Sequence, residues 1–186
     1  MRTFVAVDLS PEIKINLEDL IRNVRRKAGA VKWVGPEAMH LTLKFLGEIP
    51  EDKAGTVGTL LEGLAGTRRP FPLKLKGTGT FPPGGGRNAR VLWAGVAEDP
   101  GLMELQTALE DEFEKTGFSR EDRPFHPHLT LGRVKSPDGL DRVLQELERY
   151  ETVDLGGMMV ARLTFFRSVL KPSGPEYQVL SEAALK

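Results

Sequence analysis

The sequence His40-Leu-Thr-Leu43 recurs as His128-Leu-Thr-Leu131, and the two copies contain two of the three histidines in the chain. Side chains alternate between the faces of a strand, whereas residues two apart on a helix point roughly 200° away from each other. In an extended conformation, the His and Thr of each copy therefore share a face, and the leucines lie on the opposite, buried face. The repeat predicts two strands that each present a polar pair.

The two copies are 88 residues apart, and other apolar positions follow the same offset. This offset places Leu17 on Leu105 and strand 3–9 on strand 91–97. Each half is then predicted to contain strand, helix, strand, helix and strand in that order. We interpret the pattern as an internal duplication, and we expect the two halves to face each other across a cleft.

Local signals place several other elements. Ser10-Pro11 predicts the start of a helix, and Gly29 predicts its end. A turn rich in proline and glycine is predicted over 81–88, with late strands near 158–170 and 177–180. These signals indicate a fold that contains both helices and strands.

The length and composition suit one compact core, because 40% of the 186 residues are hydrophobic. We therefore expect residues 1–186 to form a single domain. The 26 basic and 26 acidic side chains cancel, so any contact with nucleic acid is expected to be local.

Cysteine does not occur in the sequence, which excludes disulfides, thiolate zinc sites and a cysteine nucleophile. The apolar run near the N-terminus is interrupted at Asp8 and is too short for a signal peptide or a membrane span. These features predict a cytoplasmic protein that does not insert into a membrane.

Two histidines that flank one bond can act as acid and base in the same step, since the unperturbed pKa of histidine is roughly 6.5. Each threonine adds a hydroxyl donor, and the four groups together suit a phosphodiester without a metal. The residues alone leave the roles of the two histidines interchangeable. They also leave two alternatives, histidines that only bond within a sheet and a metal site, although zinc usually takes three or four ligands.

Two cations near the motifs are further candidates for substrate binding. Lys44 follows His40 by an even number of residues, so strict alternation places both side chains on the cleft face. A solvated lysine at the strand end is the alternative. Strict alternation places Arg133 on the same face as the buried leucines of the second motif. It reaches the cleft only past the strand end or across a bulge, and otherwise is an ordinary cation at the sheet edge.

The aromatic residues divide into two groups by their neighbours. Trp33 and Trp93 are each flanked by apolar residues, which predicts core packing. Phe125 stands beside the second motif and is the candidate for stacking on a base. His126 shares a face with His128, but its counterpart in the first half is Ala38, so we expect it to be a surface residue.

Most of the chain resembles the 2H phosphoesterases, which are named for two His-x-Thr motifs, and among them the RNA 2',3'-cyclic phosphodiesterases historically called 2'-5' RNA ligases. Besides the two motifs, the matching segments are Arg2-Thr-Phe-Val-Ala-Val7, Val31-Lys-Trp-Val34, Arg90-Val-Leu-Trp93, Phe125-His-Pro127 and Gly174-Pro-Glu-Tyr177.

This resemblance implies an α+β fold that is duplicated and two-lobed, with two antiparallel sheets that face a central cleft and helices on the outside. It also implies hydrolysis of a 2',3'-cyclic phosphate at an RNA or nucleotide terminus to a 2'-phosphate. It implies His40 as proton donor, His128 as proton acceptor, and Thr42 and Thr130 as phosphate ligands, with no metal or other cofactor. A 5'-hydroxyl in place of water gives 2'-5' ligation. The partner implied is the RNA end or a cyclic nucleotide, and the protein is expected to act as a monomer.

Other functions are compatible with the same residues. Within the superfamily, the alternatives are phosphodiesterases that act on 2'-5' linked oligonucleotides or on cyclic phosphates of the ADP-ribose type. Outside it, the alternatives are a module that binds an RNA end without catalysis and a structural duplication without a ligand.

Overall fold

The computed structural model describes residues 1–27, 29–171 and 174–186. Within these residues there are four α-helices: α1 (Pro11–Arg25), α2 (Ala54–Ala65), α3 (Pro100–Lys115) and α4 (Leu140–Glu148). The described strands are β1 (Arg2–Asp8), β2 (Val31–Trp33), β3 (His40–Glu48), β4 (Phe71–Phe81), β5 (Val91–Val96), β6 (His128–Val134), β7 (Asp154–Val160), β8 (Arg162–Lys171) and β9 (Gly174–Ala184). None of the described helices is long and apolar enough to cross a membrane.

The described strands form two sheets in which all neighbours are antiparallel. One sheet has the order β3-β1-β8-β9, and the other has the order β2-β6-β5-β4-β7. The two motifs therefore begin equivalent strands, β3 and β6, in different sheets. Each sheet combines strands from both halves of the sequence, because β2 and β4 join the second sheet while β8 and β9 join the first. The two lobes are thus not the two sequence halves.

The leucines of both motifs lie in the main core, as alternation predicted. Leu41, Leu43, Leu129 and Leu131 are each at most 3% exposed and pack in one cluster with apolar residues of the helices. Burial of each such side chain contributes about 1.5–3 kcal/mol. The helices cover the leucine faces of the sheets, which leaves the His and Thr faces for the cleft.

Helix α1 begins where the sequence predicted. Ser10 is its N-cap, and its side-chain oxygen accepts a hydrogen bond from the Ile13 N–H at 3.4 Å, with proline at the first helical position. The helix ends at Arg25, earlier than the predicted end at Gly29. Its buried residues are Ile13, Leu17, Leu20, Ile21 and Val24.

Both motif strands contain a β-bulge directly after the threonine. On β3, Ala6 lies opposite Thr42 and the preceding residue Val5 lies opposite Lys44, so Leu43 is the extra residue. One extra residue reverses the face of every side chain that follows it. The alternation that holds from His40 to Leu43 therefore does not continue to Lys44.

The bulge on β6 has the same position in its own motif. Trp93 lies opposite Thr130 and Leu92 lies opposite Gly132, so Leu131 is the extra residue. Comparison with β3 shows that Trp93 occupies the place of Ala6, an offset of 87. The predicted offset of 88 for this strand is wrong by one residue.

The late strands also differ from the prediction. The region near 158–170 is not one strand, because Ala161 separates β7 from β8 and the chain passes there from one sheet to the other. No glycine or proline stands at this point to mark the break. Pro172 and Ser173, which follow β8 in the sequence, lie outside the described residues.

Candidate active site

His40 lies on a floor of aromatic side chains at the start of β3. Its ring stacks on Phe4 with centroids 4.6 Å apart and meets the edge of Tyr177 at 4.8 Å. Phe4 is also stacked on Phe166 at 5.2 Å and is only 3% exposed. The imidazole therefore has an apolar surface below it and Asp8 opposite it on β1.

This environment lowers the pKa of His40 to about 4, mainly because burial disfavours the charged ring. The Asp8 carboxylate and the Ala38 carbonyl act in the opposite direction, and the Lys14 ammonium lowers the pKa further. Lys14 also pairs with Asp8 at 3.0 Å. In the free protein at neutral pH, His40 is consequently a neutral imidazole.

The low pKa of His40 predicts a specific loss of stability in acid, which the variant His40→Phe should remove. The unfolded chain takes up this proton below the ordinary pKa of 6.5, whereas the folded protein resists until about 4. Stability is therefore fully present above pH 6.5 and falls as the pH is lowered toward 4. Between pH 7.5 and 5, the wild type should lose about 2 kcal/mol more than His40→Phe.

Urea unfolding of both proteins at the two pH values measures this difference. The carboxylates are the same in wild type and variant, so their contribution cancels. His126→Ala is the control and should keep the wild-type loss, because the side chain of His126 is exposed. Equal losses in wild type and His40→Phe would contradict the assignment of the low pKa to His40.

His128 has its ring fixed by the main chain. Its Nδ1 lies 2.7 Å from the carbonyl oxygen of His126, and its ring packs edge-on against Phe81 with centroids 4.8 Å apart. Because a carbonyl only accepts, Nδ1 carries the proton in this contact when the ring is neutral. The lone pair is then on Nε2, which is the form required of a general base.

Thr42 and Thr130 have equivalent positions beside their histidines. Each precedes its bulge and is half-buried on the same face as the histidine two residues before it. The strands β3 and β6 also contact each other. The structure thus brings both His and Thr pairs to one cleft between the sheets.

Arg133 faces this cleft because of the bulge on β6. Its cross-strand partner is Val91, on the face that Trp93 and Thr130 share. Burial raises the pKa of Tyr177, and the positive charges of Arg133 and Arg2 lower it, so Arg133 lies near the residue that borders His40. Arg133 therefore reaches the cleft across a bulge and is not an ordinary cation at the sheet edge.

The prediction that Lys44 lies in the cleft is wrong. Its ammonium is 2.5 Å from Glu110 Oε2 and 3.0 Å from the Ser119 carbonyl oxygen, and its side chain is 2% exposed. The bulge at Leu43 turns Lys44 toward α3, away from the face of His40. It is neither a cleft residue nor the solvated lysine of the alternative.

The aromatic residues of the cleft are mostly not those that the sequence singled out. Phe125 is partly buried against the main core, and Trp33 packs there as predicted. Trp93 instead lies on the cleft face beside Thr130 and contacts Phe81 at 5.5 Å, so its predicted core position is wrong. The physical reason is that Trp93 lies opposite Thr130 and shares its face, which the apolar neighbours along the chain do not reveal.

Sequence reasoning missed four aromatic side chains that line the cleft. They flank the two histidines, and they are Phe4, Phe81, Phe166 and Tyr177. Phe81 had a signal, because it ends the alternating run of β4 just before the glycine-rich turn. Phe4 and Phe166 lie on strands whose alternation is hidden by buried residues on both faces.

Two surface cavities lie elsewhere. One of about 450 Å³ lies between α1 and β7, and one of about 410 Å³ lies beside α3. Neither is lined by a motif residue. Among the described residues, no three His, Asp or Glu side chains form a group that could hold a metal ion.

Comparison with known sequences gives matches along nearly the whole chain. A family model described as the 2'-5' RNA ligase superfamily matches residues 11–171. The RNA 2',3'-cyclic phosphodiesterase of Methanothermobacter thermautotrophicus is 35% identical and covers 95% of this chain and 95% of that protein. The protein of the same name from Thermotoga maritima is 36% identical and covers 98% of this chain and 94% of that protein.

Solved structures share the fold. TT0787 of Thermus thermophilus has a TM-score of 0.85 at 35% identity, covering 100% of this chain and 98% of that chain. LigT of E. coli complexed with 3'-AMP has a TM-score of 0.74 at 28% identity, and the match covers 99% of this chain and 97% of that chain. The expected α+β fold with two antiparallel sheets is confirmed.

Proposed function

The chain belongs to the 2'-5' RNA ligase superfamily, and from this membership we propose that it is an enzyme that opens 2',3'-cyclic phosphates at RNA or nucleotide termini. The product is a 2'-phosphomonoester. The observation that carries the proposal is the convergence of two His and Thr pairs on one cleft. The names of the relatives, RNA 2',3'-cyclic phosphodiesterase, support the same reaction.

In this mechanism, His128 Nε2 removes a proton from water as the water oxygen attacks phosphorus. The bond from phosphorus to the 3' oxygen breaks, and His40 gives its proton to that leaving oxygen. Thr42 and Thr130 donate hydrogen bonds to the non-bridging oxygens. Each proton transfer of this kind accelerates the reaction by typically about 10²- to 10⁴-fold. The proposed mechanism requires no metal.

The low pKa of His40 in the free protein opposes the donor role, and the bound substrate must raise this pKa for His40 to carry the proton. The phosphodiester carries a negative charge, and a negative charge within about 4–6 Å favours the protonated ring. Asp8 lies opposite His40, whereas the equivalent position opposite His128 is Gly95. Of the two histidines, His40 is the one with a carboxylate across the strand pair to stabilise an imidazolium.

The same geometry accommodates ligation. A 5'-hydroxyl in the place of the attacking water loses its proton to His128, and the 3' oxygen again leaves with the proton of His40. The bond formed is a 2'-5' phosphodiester. We include this reaction in the proposal.

We also propose a domain organisation, a binding partner, an oligomeric state and a cellular location for this reaction. Residues 1–186 act as one domain, since one core cluster contains residues of both sheets and of all four described helices. The partner is an RNA terminus or a cyclic nucleotide, and the protein acts as a monomer. The lack of cysteine in the sequence is compatible with the cytoplasm.

Hydrolysis of 2',3'-cyclic AMP in the presence of EDTA tests this function. The expected result is conversion to 2'-AMP, followed by ³¹P NMR, at a rate that the chelator does not change. Production of 3'-AMP would contradict the assignment of the 3' oxygen as the leaving group. Tight binding of the nucleotide without turnover would favour an RNA-end binding module.

A further inference from the structure

The indole of Trp93 lies against the backbone of β4 at a point where that strand has a glycine. Gly79 is directly opposite Trp93 in the pairing of β4 with β5. A Cβ on Gly79 would lie 2.3 Å from Cζ2 of the indole and 2.4 Å from Cη2, far inside van der Waals contact. Gly79 is within β4 and does not have a positive φ, so the backbone conformation does not require glycine. A glycine in a strand often marks a close approach of this kind, and here the approaching group is the indole.

Packing alone sets the orientation of this indole. Its Nε1 is buried and has no hydrogen-bond partner among the described residues, which costs stability and fixes nothing. Gly95 lies two residues further along β5 on the same face, and a Cβ there would be 3.4 Å from Cζ3 of the ring. The two glycines thus leave the space that the six-membered ring of the indole occupies.

The indole supports Phe81, which in turn packs against the histidine proposed as the general base. Phe81 follows Gly79 by two residues on β4, and its ring centroid is 5.5 Å from that of Trp93 and 4.8 Å from that of His128. The hydrogen bond from Nδ1 of His128 to the His126 carbonyl oxygen fixes one atom of the imidazole. A single hydrogen bond leaves the plane of the ring free to rotate, so the edge-on contact with Phe81 is the second constraint.

We infer that Gly79 and Trp93 are positioning residues for His128: the indole, in the space that Gly79 leaves, holds Phe81 against the imidazole and so keeps Nε2 directed at the attacking water. This inference rests on the proposed function. The place of Trp93 in the first sheet is taken by Ala6. The arrangement is therefore not part of the repeat and serves only one of the two histidines.

The variant Gly79→Ala tests the inference, because the added methyl group must displace a rigid ring. We expect kcat for 2',3'-cyclic AMP to fall by about 10- to 100-fold, since a shift of about 1 Å in a reacting group is enough for such a loss. Binding of the product 2'-AMP should change little. A destabilised but correctly oriented site would not separate kcat from product binding in this way.

The ¹⁵N NMR signals of the histidine side chains give a second readout that does not depend on turnover. At a pH of about 8.5, where an ordinary histidine is neutral, the wild type should show His128 as one tautomer with its proton on Nδ1. In Gly79→Ala, an imidazole that leaves the His126 carbonyl loses this preference, so both tautomers should be present. The chain has three histidines, which keeps the spectrum simple.

Gly63→Ala is the matched control, because a Cβ at this position of α2 has nothing within 4 Å. It should keep the wild-type kcat and the wild-type spectrum. If Gly79→Ala does not fold, Phe81→Leu decides, since leucine keeps an apolar side chain but has no ring edge to hold the imidazole. It should lower kcat and give the same mixture of tautomers.

A folded Gly79→Ala with the kcat and the single tautomer of the wild type would overturn the inference, as would the same result for Phe81→Leu. If the wild type does not open the cyclic phosphate, the proposed function fails. The spectra still show whether Gly79 and Trp93 orient His128, so the two failures are distinguishable.

Discussion

Replacement of His128 by asparagine is expected to lower kcat for cyclic phosphate hydrolysis by about 10²- to 10⁴-fold, because it removes the general base. Asparagine retains a polar N–H that can reach the His126 carbonyl, which holds Nδ1 of His128 at 2.7 Å in the wild type. Its amide has no lone pair basic enough to accept a proton from water. The loss should therefore appear in kcat with little change in the binding of the product 2'-AMP.

His126→Ala is the matched control for this prediction. It removes a histidine two residues away whose side chain is exposed, and it keeps the main-chain carbonyl that orients His128. Its turnover should stay close to that of the wild type. If His128→Asn keeps its turnover, or if both variants lose the same amount, His128 is not the proton acceptor.

Replacement of Lys44 by methionine is expected to lower the free energy of unfolding by about 3–5 kcal/mol, because it leaves the carboxylate of Glu110 buried without its counter-charge. The side chains of Lys44 and Glu110 are 2% and 7% exposed, and their charged atoms are 2.5 Å apart. Glu110 also accepts hydrogen bonds from Gln106 and from the Glu121 N–H. The pair thus connects β3, α3 and the segment that leads to the second motif.

Chemical denaturation of three variants checks this prediction. The double variant Lys44→Met with Glu110→Gln should recover part of the loss, since no buried charge then remains. Lys115→Met is the surface control, and loss of its exposed pair with Glu112 should change the free energy of unfolding far less than Lys44→Met does. Similar losses for Lys44→Met and Lys115→Met would contradict the account of a buried pair that must stay balanced.

Alternation predicted the motif residues correctly up to the point where each strand has its bulge. The leucines of both motifs are buried, and each His and Thr pair shares a face. Beyond Leu43 and Leu131, strict alternation assigned the next cation of each strand to the wrong face. It placed Lys44 in the cleft, but Lys44 is buried against α3. It placed Arg133 on the buried face, but Arg133 faces the cleft. A leucine in a bulge has no local signature, because the extra residue is defined only by the pairing with the neighbouring strand.

The sheet to which a strand belongs was also not predictable from local sequence. The strands β4 and β8 each join a sheet that contains strands from the other half of the chain. This exchange depends on contacts between distant segments, which hydrophobic periodicity does not record. The repeated motifs and the segments that resembled the 2H phosphoesterases were nevertheless enough to identify the family, because they extend along most of the chain.

The aromatic side chains below His40 could not be predicted from the sequence. Phe4 and Phe166 occur in apolar strands, where the sequence predicts core packing. Only the pairing of β1 with β8 places them side by side on the cleft face. Their contact with the imidazole helps to bury it, and this burial produces the low pKa that separates His40 from an ordinary histidine.

We propose that the two repeated motifs form a single acid-base site. Its most direct test is the kcat of His40→Ala, His128→Ala and the double variant on an RNA that ends in a 2',3'-cyclic phosphate, with EDTA present. Groups that act in one step give non-additive losses, so we predict that each single variant loses about as much activity as the double variant. Losses that multiply in the double variant, or full activity in either single variant, would contradict the claim.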